Sequence, residues 1–296
     1  MIDDPLWPRV DQWLADPSDD PEVSVVGLST SVASLSPSRA DLAPDAMWDR
    51  MGRFSTYHGE EDFDLTVVPV APLGNLMLGD ISAESLPSEI ADLITGLPDT
   101  NLALYLGGDN AITRPIVRSH GDLKNVGVIT LDAHHDVRST DPFPSNGSPI
   151  RGLIEDGLPG RQVAQIGIHS FANSQPYRHW CDGHGIGVFT MTDVDQDGID
   201  ATVSSALDHI GDVASIHVDV DMDVLDSAFA PGCPGARPGG MTPRQLARAV
   251  RLLARDNRVT SVDFVEVDPE RDRDGITIDA AITMMLEAVV GYGTRE

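Results

Sequence analysis

The feature that most constrains this 296-residue chain is an alternation. Short apolar, β-branched runs at 23–27, 64–68, 102–106, 126–131, 162–167, 187–189, 214–220 and 259–265 predict strands. Stretches of helical period over 82–97, 111–120, 149–156, 172–184, 200–210, 242–255 and 278–290 fall between or after them. In 242–255, Leu246, Val250, Leu253 and Ala254 make one apolar face, with Thr242-Pro243 as cap and first turn. Strands that alternate with helices pair in parallel, because each crossover returns the chain to the same end of the sheet. The expectation is an α/β fold: a three-layer α/β/α arrangement around a mostly parallel sheet of about eight strands. No repeat, low-complexity tract or linker divides residues 1–296, so one domain is expected. The stretch 29–61 is least defined, being rich in Ser and Asp with only a weak helical pattern around 46–52.

Ligands of parallel sheets bind outside the C-terminal ends of the strands. The chemistry-bearing residues of this chain follow such ends. After 102–106 comes Gly107-Gly108-Asp109-Asn110, where the glycines allow a sharp turn. Asn110 either caps a helix or offers a carbonyl oxygen to a metal. After 126–131 comes Asp132-Ala133-His134-His135-Asp136. In an extended chain, positions i, i+2 and i+4 project to one side, so Asp132, His134 and Asp136 converge while His135 points away. That donor mix suits Mn²⁺, with Zn²⁺ and Co²⁺ as competitors; the plain alternative is a turn rich in Asp and His. Beyond 214–220 lies Asp221-Met222-Asp223-Val224-Leu225-Asp226, with Asp221 and Asp223 expected on one strand face. Carboxylates at a buried strand end repel one another unless a cation joins them; surface acidity is the competing reading. After 259–265, Glu266 stands ready for a cationic amidine or guanidine, or is a loop carboxylate.

Three neighbours complete the set. Arg138 is a candidate clamp for a substrate carboxylate, or an ion-pair partner for a nearby aspartate. Asn146, within Ser145-Asn146-Gly147-Ser148-Pro149, belongs either to a pocket wall or to a capping loop. The Pro- and Gly-rich segments 230–234 and 238–240 are expected to form a rigid loop over the site. Asp132, His134, Asp136, Asp221 and Asp223 supply enough donors for two metal ions that share ligands and activate water near neutrality. No Ser or Cys nucleophile is then required.

Charge narrows the partners. The formal net charge is −27 and Lys124 is the only lysine, which excludes nucleic acid and anionic membranes as partners. No run reaches 18 apolar residues, and Met1-Ile2-Asp3-Asp4-Pro5 has no basic or apolar leader character, so a cytoplasmic location is expected. Cys181 and Cys233 have no metal-finger spacing and are expected to be reduced thiols.

In this order, GGDN at 107–110, DAHHD at 132–136, DMDVLD at 221–226 and VEVDP at 265–269 resemble the ureohydrolase family of arginases, agmatinases and formimidoylglutamases. The family pattern is G-G-D-H, D-A-H-x-D, D-x-D-x-x-D and a Glu before a strand-ending loop. The resemblance runs from about residue 102 to the C-terminus and is looser before it. It is closest to the formimidoylglutamases, through 132–138, 145–149, 165–173 and 222–234. That resemblance implies hydrolysis of N-formimidoyl-L-glutamate to L-glutamate and formamide in histidine breakdown. It also implies two Mn²⁺ ions, an eight-stranded parallel sheet, and a homo-oligomer, trimeric or hexameric. Among site residues it implies Asn110, Asp132, His134, Asp136, Asp221 and Asp223 at the metals and Asp136 as proton shuttle. Glu266 would anchor the formimidoyl nitrogens, and Arg138 and Asn146 would meet substrate carboxylate. Asn110 departs from the pattern, since the family usually has His there and an amide oxygen is the weaker ligand. The loop 145–148 lacks the His that arginases carry in the comparable loop. An agmatinase, guanidinobutyrase or arginase releasing urea, or a non-catalytic metal-binding paralogue, are the alternatives.

Overall fold

The computed structural model describes residues 4–78 and 81–296. Its strands are β1 (Val23–Leu28), β2 (Tyr57–His58), β3 (Phe63–Asp64), β4 (Val70–Leu76), β5 (Leu102–Leu106), β6 (Val126–Leu131), β7 (Val163–Ile168), β8 (Gly187–Thr190), β9 (Ser215–Asp221) and β10 (Val259–Val265). The helices are α1 (Val10–Leu14), α2 (Ala43–Arg50), α3 (Leu86–Thr95), α4 (Thr113–Ser119), α5 (Pro149–Asp156), α6 (Gln175–His184), α7 (Met191–Asp197), α8 (Ile199–Ile210), α9 (Pro243–Arg255) and α10 (Ile276–Gly293). Eight strands form one sheet in the order β4-β1-β5-β10-β9-β6-β7-β8, every pair parallel. β2 and β3 make a separate antiparallel pair.

The strands are buried on both faces, as parallel strands must be when helices cover them. Alternate residues feed opposite layers. Val23 and Val25 of β1, Ile129 and Leu131 of β6, and Val218 and Val220 of β9 join one large core with α2, α8, α9 and α10. On the other face the apolar packing is in two parts. Val26 and Leu28 pack with α3 and α4, and Val126 and Val128 pack with α5 and Cys181 of α6. Polar side chains of β9 and β10 lie between those parts: His217, Asp219, Ser261 and Asp263 are all buried.

One predicted strand is displaced. Residues 64–68 hold the end of β3 and a 3-10 turn at Leu65–Val67, capped by the Asp64 carboxylate accepting from Thr66 N at 3.0 Å. The edge strand is β4 instead, which contains Pro72 and Gly74. Proline is tolerated at a sheet edge, where one side needs no ladder donor, and this hides the strand in the sequence. The other strands and the helix at 149–156 lie where expected, to within a residue or so. The helix expected over 82–97 is shorter (α3), and α1 and α7 were not anticipated. α7 carries a readable start in retrospect, since Thr190 and Asp193 form a capping box. α10 is long and apolar enough to cross a membrane by length and composition, with a mean hydropathy of 1.4. Here it packs on the sheet beside α9 and α2, and its Asp279 and Glu287 pair with Arg50 and Arg251.

The crossover from β5 to β6 leaves a gap that β9 and β10 later fill. The four strands β5, β10, β9 and β6 are therefore adjacent, and the four sequence clusters share one rim. Gly108 closes that rim. Its carbonyl accepts from Glu266 N at 2.9 Å, and a Cβ at this position would collide with the Thr30 carbonyl, which accepts from Asp109 N at 2.9 Å. Replacing Gly108 with Ala should lower stability by on the order of 1–3 kcal/mol, since backbone rather than a side chain must move. The denaturant midpoint tests this; an unchanged midpoint would show that the β1 and β5 loops are not locked together here.

Candidate metal centre

The side chains converge, but not by the extended geometry expected. β6 ends at Leu131, and residues 132–136 turn: the Asp132 carboxylate accepts from His134 N at 2.6 Å, and Asp136 has φ +51°. β9 likewise ends at Asp221, whose carboxylate accepts from Asp223 N at 2.8 Å and caps a 3-10 turn. Asp223 is thus aimed by a turn, not by strand alternation. Its Oδ1 accepts from Ala133 N at 3.2 Å, joining the two loops, and its Oδ2 lies 2.9 Å from His134 Nδ1. Ligand atoms of Asp132, His134 and Asp223 all lie within 4.8 Å of one another.

Electrostatics describe a site short of positive charge. Asp132 is pushed up to about 6 by burial and the Asp223 charge. Asp136 is raised well above the usual range by burial and then Asp132, and Asp221 by burial and then Asp223. His134 is pushed up to about 12, chiefly by Asp223. Burial opposes ionisation of Asp223, but the His134 charge and hydrogen bond, with the Ala133 N–H and the His169 charge, together hold the carboxyl below its ordinary value. Asp132 Oδ2 is buried without any donor. An orphaned carboxylate oxygen among crowded acids and one imidazole fits a divalent cation, and the donor set suits Mn²⁺.

The remaining candidates surround this cluster. Asn110 is buried in the turn after β5; its Nδ2 donates to Asp136 Oδ2 at 2.7 Å and its Oδ1 accepts from Thr113 Oγ1 at 2.7 Å. Its backbone N–H donates to Glu266 Oε1 at 2.8 Å. Asp109, not Asn110, caps the following 3-10 turn. Glu266 is buried at φ +66°, and burial with the Asp109 charge pushes it up to about 8. Asn146 Nδ2 donates to Glu266 Oε1 at 3.0 Å and its Oδ1 accepts from Leu35 N at 3.0 Å. It therefore holds Glu266 and the Leu35 backbone, and of its two amide hydrogens one is given to Glu266. Arg138 is exposed and forms no ion pair among the described residues, so the aspartate partner envisaged for it is absent. Its stem lies against Gly147, where a Cβ would come 2.7 Å from Arg138 Cδ. His135 turns away, with Nδ1 2.7 Å from Gln165 Oε1. The Asp136 and Glu266 backbones are in the left-handed region, which costs about 1–3 kcal/mol each and is held by the surrounding hydrogen bonds.

Three participants were not singled out in the sequence. Gly235, in the loop after β9, lies so close to Asp223 Oδ2 that no side chain fits there. Thr113 bonds Asn110, and Asp263 bonds Thr113 at 2.9 Å. Thr113 is readable as position i+3 from Asn110 at a helix start; Asp263, inside an apolar strand, signals itself as a buried acid. A surface cleft of about 770 Å³ lies elsewhere, by α9 and α10. Its arginines Arg244, Arg248 and Arg251 are paired with Glu60, Asp200 and Glu287.

Comparison with known proteins agrees with this geometry. Residues 21–291 match the sequence model of the Arginase family. A formimidoylglutamase of Halalkalibacterium halodurans is 38% identical over 274 residues, 90% of this chain and 86% of that protein. A guanidinopropionase of Pseudomonas aeruginosa is 38% identical over 192 residues, 63% of this chain and 59% of that protein. The crystal structure of formimidoylglutamase from Bacillus subtilis superposes with a TM-score of 0.90 at 30% identity, covering 100% of this chain and 95% of that one. With the eight-stranded sheet and the acidic rim in place, the family match over nearly the whole sequence settles the relationship: the chain belongs to the arginase family.

Proposed function

We propose that the protein is a manganese-dependent formimidoylglutamase, converting N-formimidoyl-L-glutamate and water to L-glutamate and formamide. The observation that carries this reading is the pairing of a buried acid with a free base. Glu266 stands beside the ligand cluster, and Arg138, without an ion pair among the described residues, flanks it through Asn146 and Gly147. The substrate has the complementary charges: a cationic amidine head and carboxylates at the other end. Similarity to formimidoylglutamases along nine-tenths of the chain supports the same substrate.

Asp132, His134 and Asp223 would hold one cation, and Asp136, Asp221 and Asn110 would complete a second position. Manganese supplies there a Lewis acid that makes water a nucleophile near neutral pH. Glu266 Oε1 is held by Asn110 N and Asn146 Nδ2, so Oε2 remains for the amidine N–H groups. An arriving amidinium favours ionised Glu266, which gains an opposite charge in a dry setting. The Asp136 carboxylate would take the proton released by water and return it to the departing glutamate nitrogen. Arg138 meets a carboxylate of the substrate through its guanidinium fork. Family resemblance further supports a homo-oligomeric assembly.

Manganese-loaded protein should release formamide from N-formimidoyl-L-glutamate and no urea from arginine, agmatine or guanidinobutyrate. The similarity to a guanidinopropionase, together with Glu266 and Arg138, favours guanidino acids as the second reading. Urea from such an acid without formamide would replace the first reading with the second. Substituting Arg138 by Ala should raise KM for the dicarboxylate about tenfold or more while leaving bound manganese unchanged, the loss expected for a charged hydrogen bond. An unaltered KM would remove Arg138 from the substrate site.

The crowded acids also set a pH dependence. Asp132 rises from 3.8 to about 6 on folding and Glu266 from 4.5 to about 8. Each stabilises the metal-free fold fully below its unfolded value and loses that contribution as pH climbs through the folded value. His134, raised from 6.5 to about 12, acts in the same sense above 6.5. Cations bind the deprotonated ligands, so manganese should raise the Tm more near pH 8 than near pH 5. Equal increments in thermal unfolding at both pH values would contradict a carboxylate-crowded metal centre.

A further inference from the structure

A short buried chain of polar groups stands behind the candidate metal centre. Thr113, at the start of α4, has no exposed surface, and neither has Asp263 of β10. The Thr113 hydroxyl lies 2.7 Å from Asn110 Oδ1 and 2.9 Å from Asp263 Oδ2. Asn110 Nδ2 in turn donates to Asp136 Oδ2 at 2.7 Å. The hydroxyl has one proton and two acceptors facing it. In this arrangement its single proton can go to the Asn110 carbonyl or to the Asp263 carboxylate, not to both.

Turning the amide over resolves the mismatch. Nδ2 then donates to Thr113 Oγ1 and Thr113 donates to the Asp263 carboxylate, so the hydroxyl accepts once and donates once. The same half-turn brings Oδ1 to the place where Nδ2 now meets Asp136. Without a cation, an N–H facing the Asp136 carboxylate is the favourable orientation. With a cation there, the carbonyl oxygen is the only end of the amide that can ligate. A hydroxyl is suited to this position because it accepts in one orientation and donates in the other. The Asp263 carboxylate further polarises the amide through Thr113, which increases the electron density on an otherwise weak oxygen ligand. An amide bears no readily transferable proton, so the chain orients and does not conduct.

We propose that Thr113, backed by Asp263, is the positioning residue that presents the Asn110 carbonyl oxygen to a divalent cation shared with Asp136. The inference rests on the reading that Asn110 and Asp136 lie at the metal centre. Other buried groups nearby are not part of the device. His217 Nε2 approaches Asp263 Oδ2 at 3.3 Å yet makes no hydrogen bond, and Asp219 has no partner for either oxygen. Among the described residues, the Thr113 hydroxyl is what links Asp263 to Asn110.

Manganese titration of the intact protein, followed by the electron paramagnetic resonance signal of the free ion, tests this. Asn110→Ala should weaken the looser manganese site. Thr113→Val, which keeps the shape and removes the hydroxyl, should weaken that site about 10–100-fold. Thr113→Ser should restore affinity to within about threefold, and adding Thr113→Val to Asn110→Ala should cost nothing more, because both act through one amide. Asp263→Asn gives a second route that does not touch Thr113. Its amide N–H would let Thr113 donate toward the Asn110 carbonyl, hold that oxygen away from the cation, and weaken the same site. If Asn110→Ala leaves manganese affinity intact, the metal-centre reading of Asn110 is lost and the positioning role with it. If Asn110→Ala weakens binding while folded Thr113→Val and Asp263→Asn do not, the positioning role alone is overturned.

Discussion

The crowding of carboxylates at the ends of adjacent strands governs much of this structure. Asp132, Asp136, Asp221 and Asp223 approach one another in a nearly dry rim, with His134 as the cationic group among them. Acids in such a position either take up protons or share a cation. The fold is arranged to keep them there. Ala133 N binds Asp223 Oδ1, Asp221 caps the turn that carries Asp223, and Asn110 holds Asp136. Apolar packing is continuous on the α8 to α10 face and interrupted on the other, where the polar side chains below the rim divide it. The site thus extends into the sheet, and the uninterrupted face supplies the larger share of the apolar burial.

Much of this was legible in the sequence, for a physical reason. Parallel strands buried on both faces must be continuous apolar runs, and these stand out from a charged background. β5 and β6 coincide with their predicted bounds because each is close to such a run, and β10 does so through Val259, Val262, Phe264 and Val265 despite the polar residues between them. β4 was missed because an edge strand can hold Pro72 and Gly74. The cluster residues were also legible, since a buried Asp or His after an apolar run demands an explanation. What could not be read was how they converge. Period-two alternation put Asp132, His134 and Asp136 on one side, but the strand stops at Leu131 and hydrogen-bonded turns do the aiming. The positive φ of Asp136 and Glu266 has no sequence signature, because neither is Gly. The hydrogen bonds by which Asn146 joins Glu266 and Leu35 were not expected either. Contacts across 120 and 111 residues of sequence are set by tertiary packing and leave no local trace.

Charge matching at the rim connects the metal centre with substrate choice. A protein of net charge −27 repels an anionic substrate at long range, so local cations must reverse that field. Two divalent ions would carry +4 against the −4 of Asp132, Asp136, Asp221 and Asp223 when all four are ionised, leaving the metal centre near neutral. Glu266 would then remain as one buried negative charge, complementary to an amidinium, and Arg138, without an ion pair among the described residues, as a positive charge complementary to a carboxylate. A substrate with a cationic head alone would satisfy Glu266 and leave Arg138 unused; one with an anionic tail satisfies both. Most arginines elsewhere are committed to acids, as Arg50 is to Asp279 and Arg114 to Asp156. Arg9, Arg161, Arg237 and Arg295 also lack an ion pair among the described residues, so what favours a substrate that ends in a carboxylate is the place of Arg138, whose stem lies against Gly147 beside Asn146.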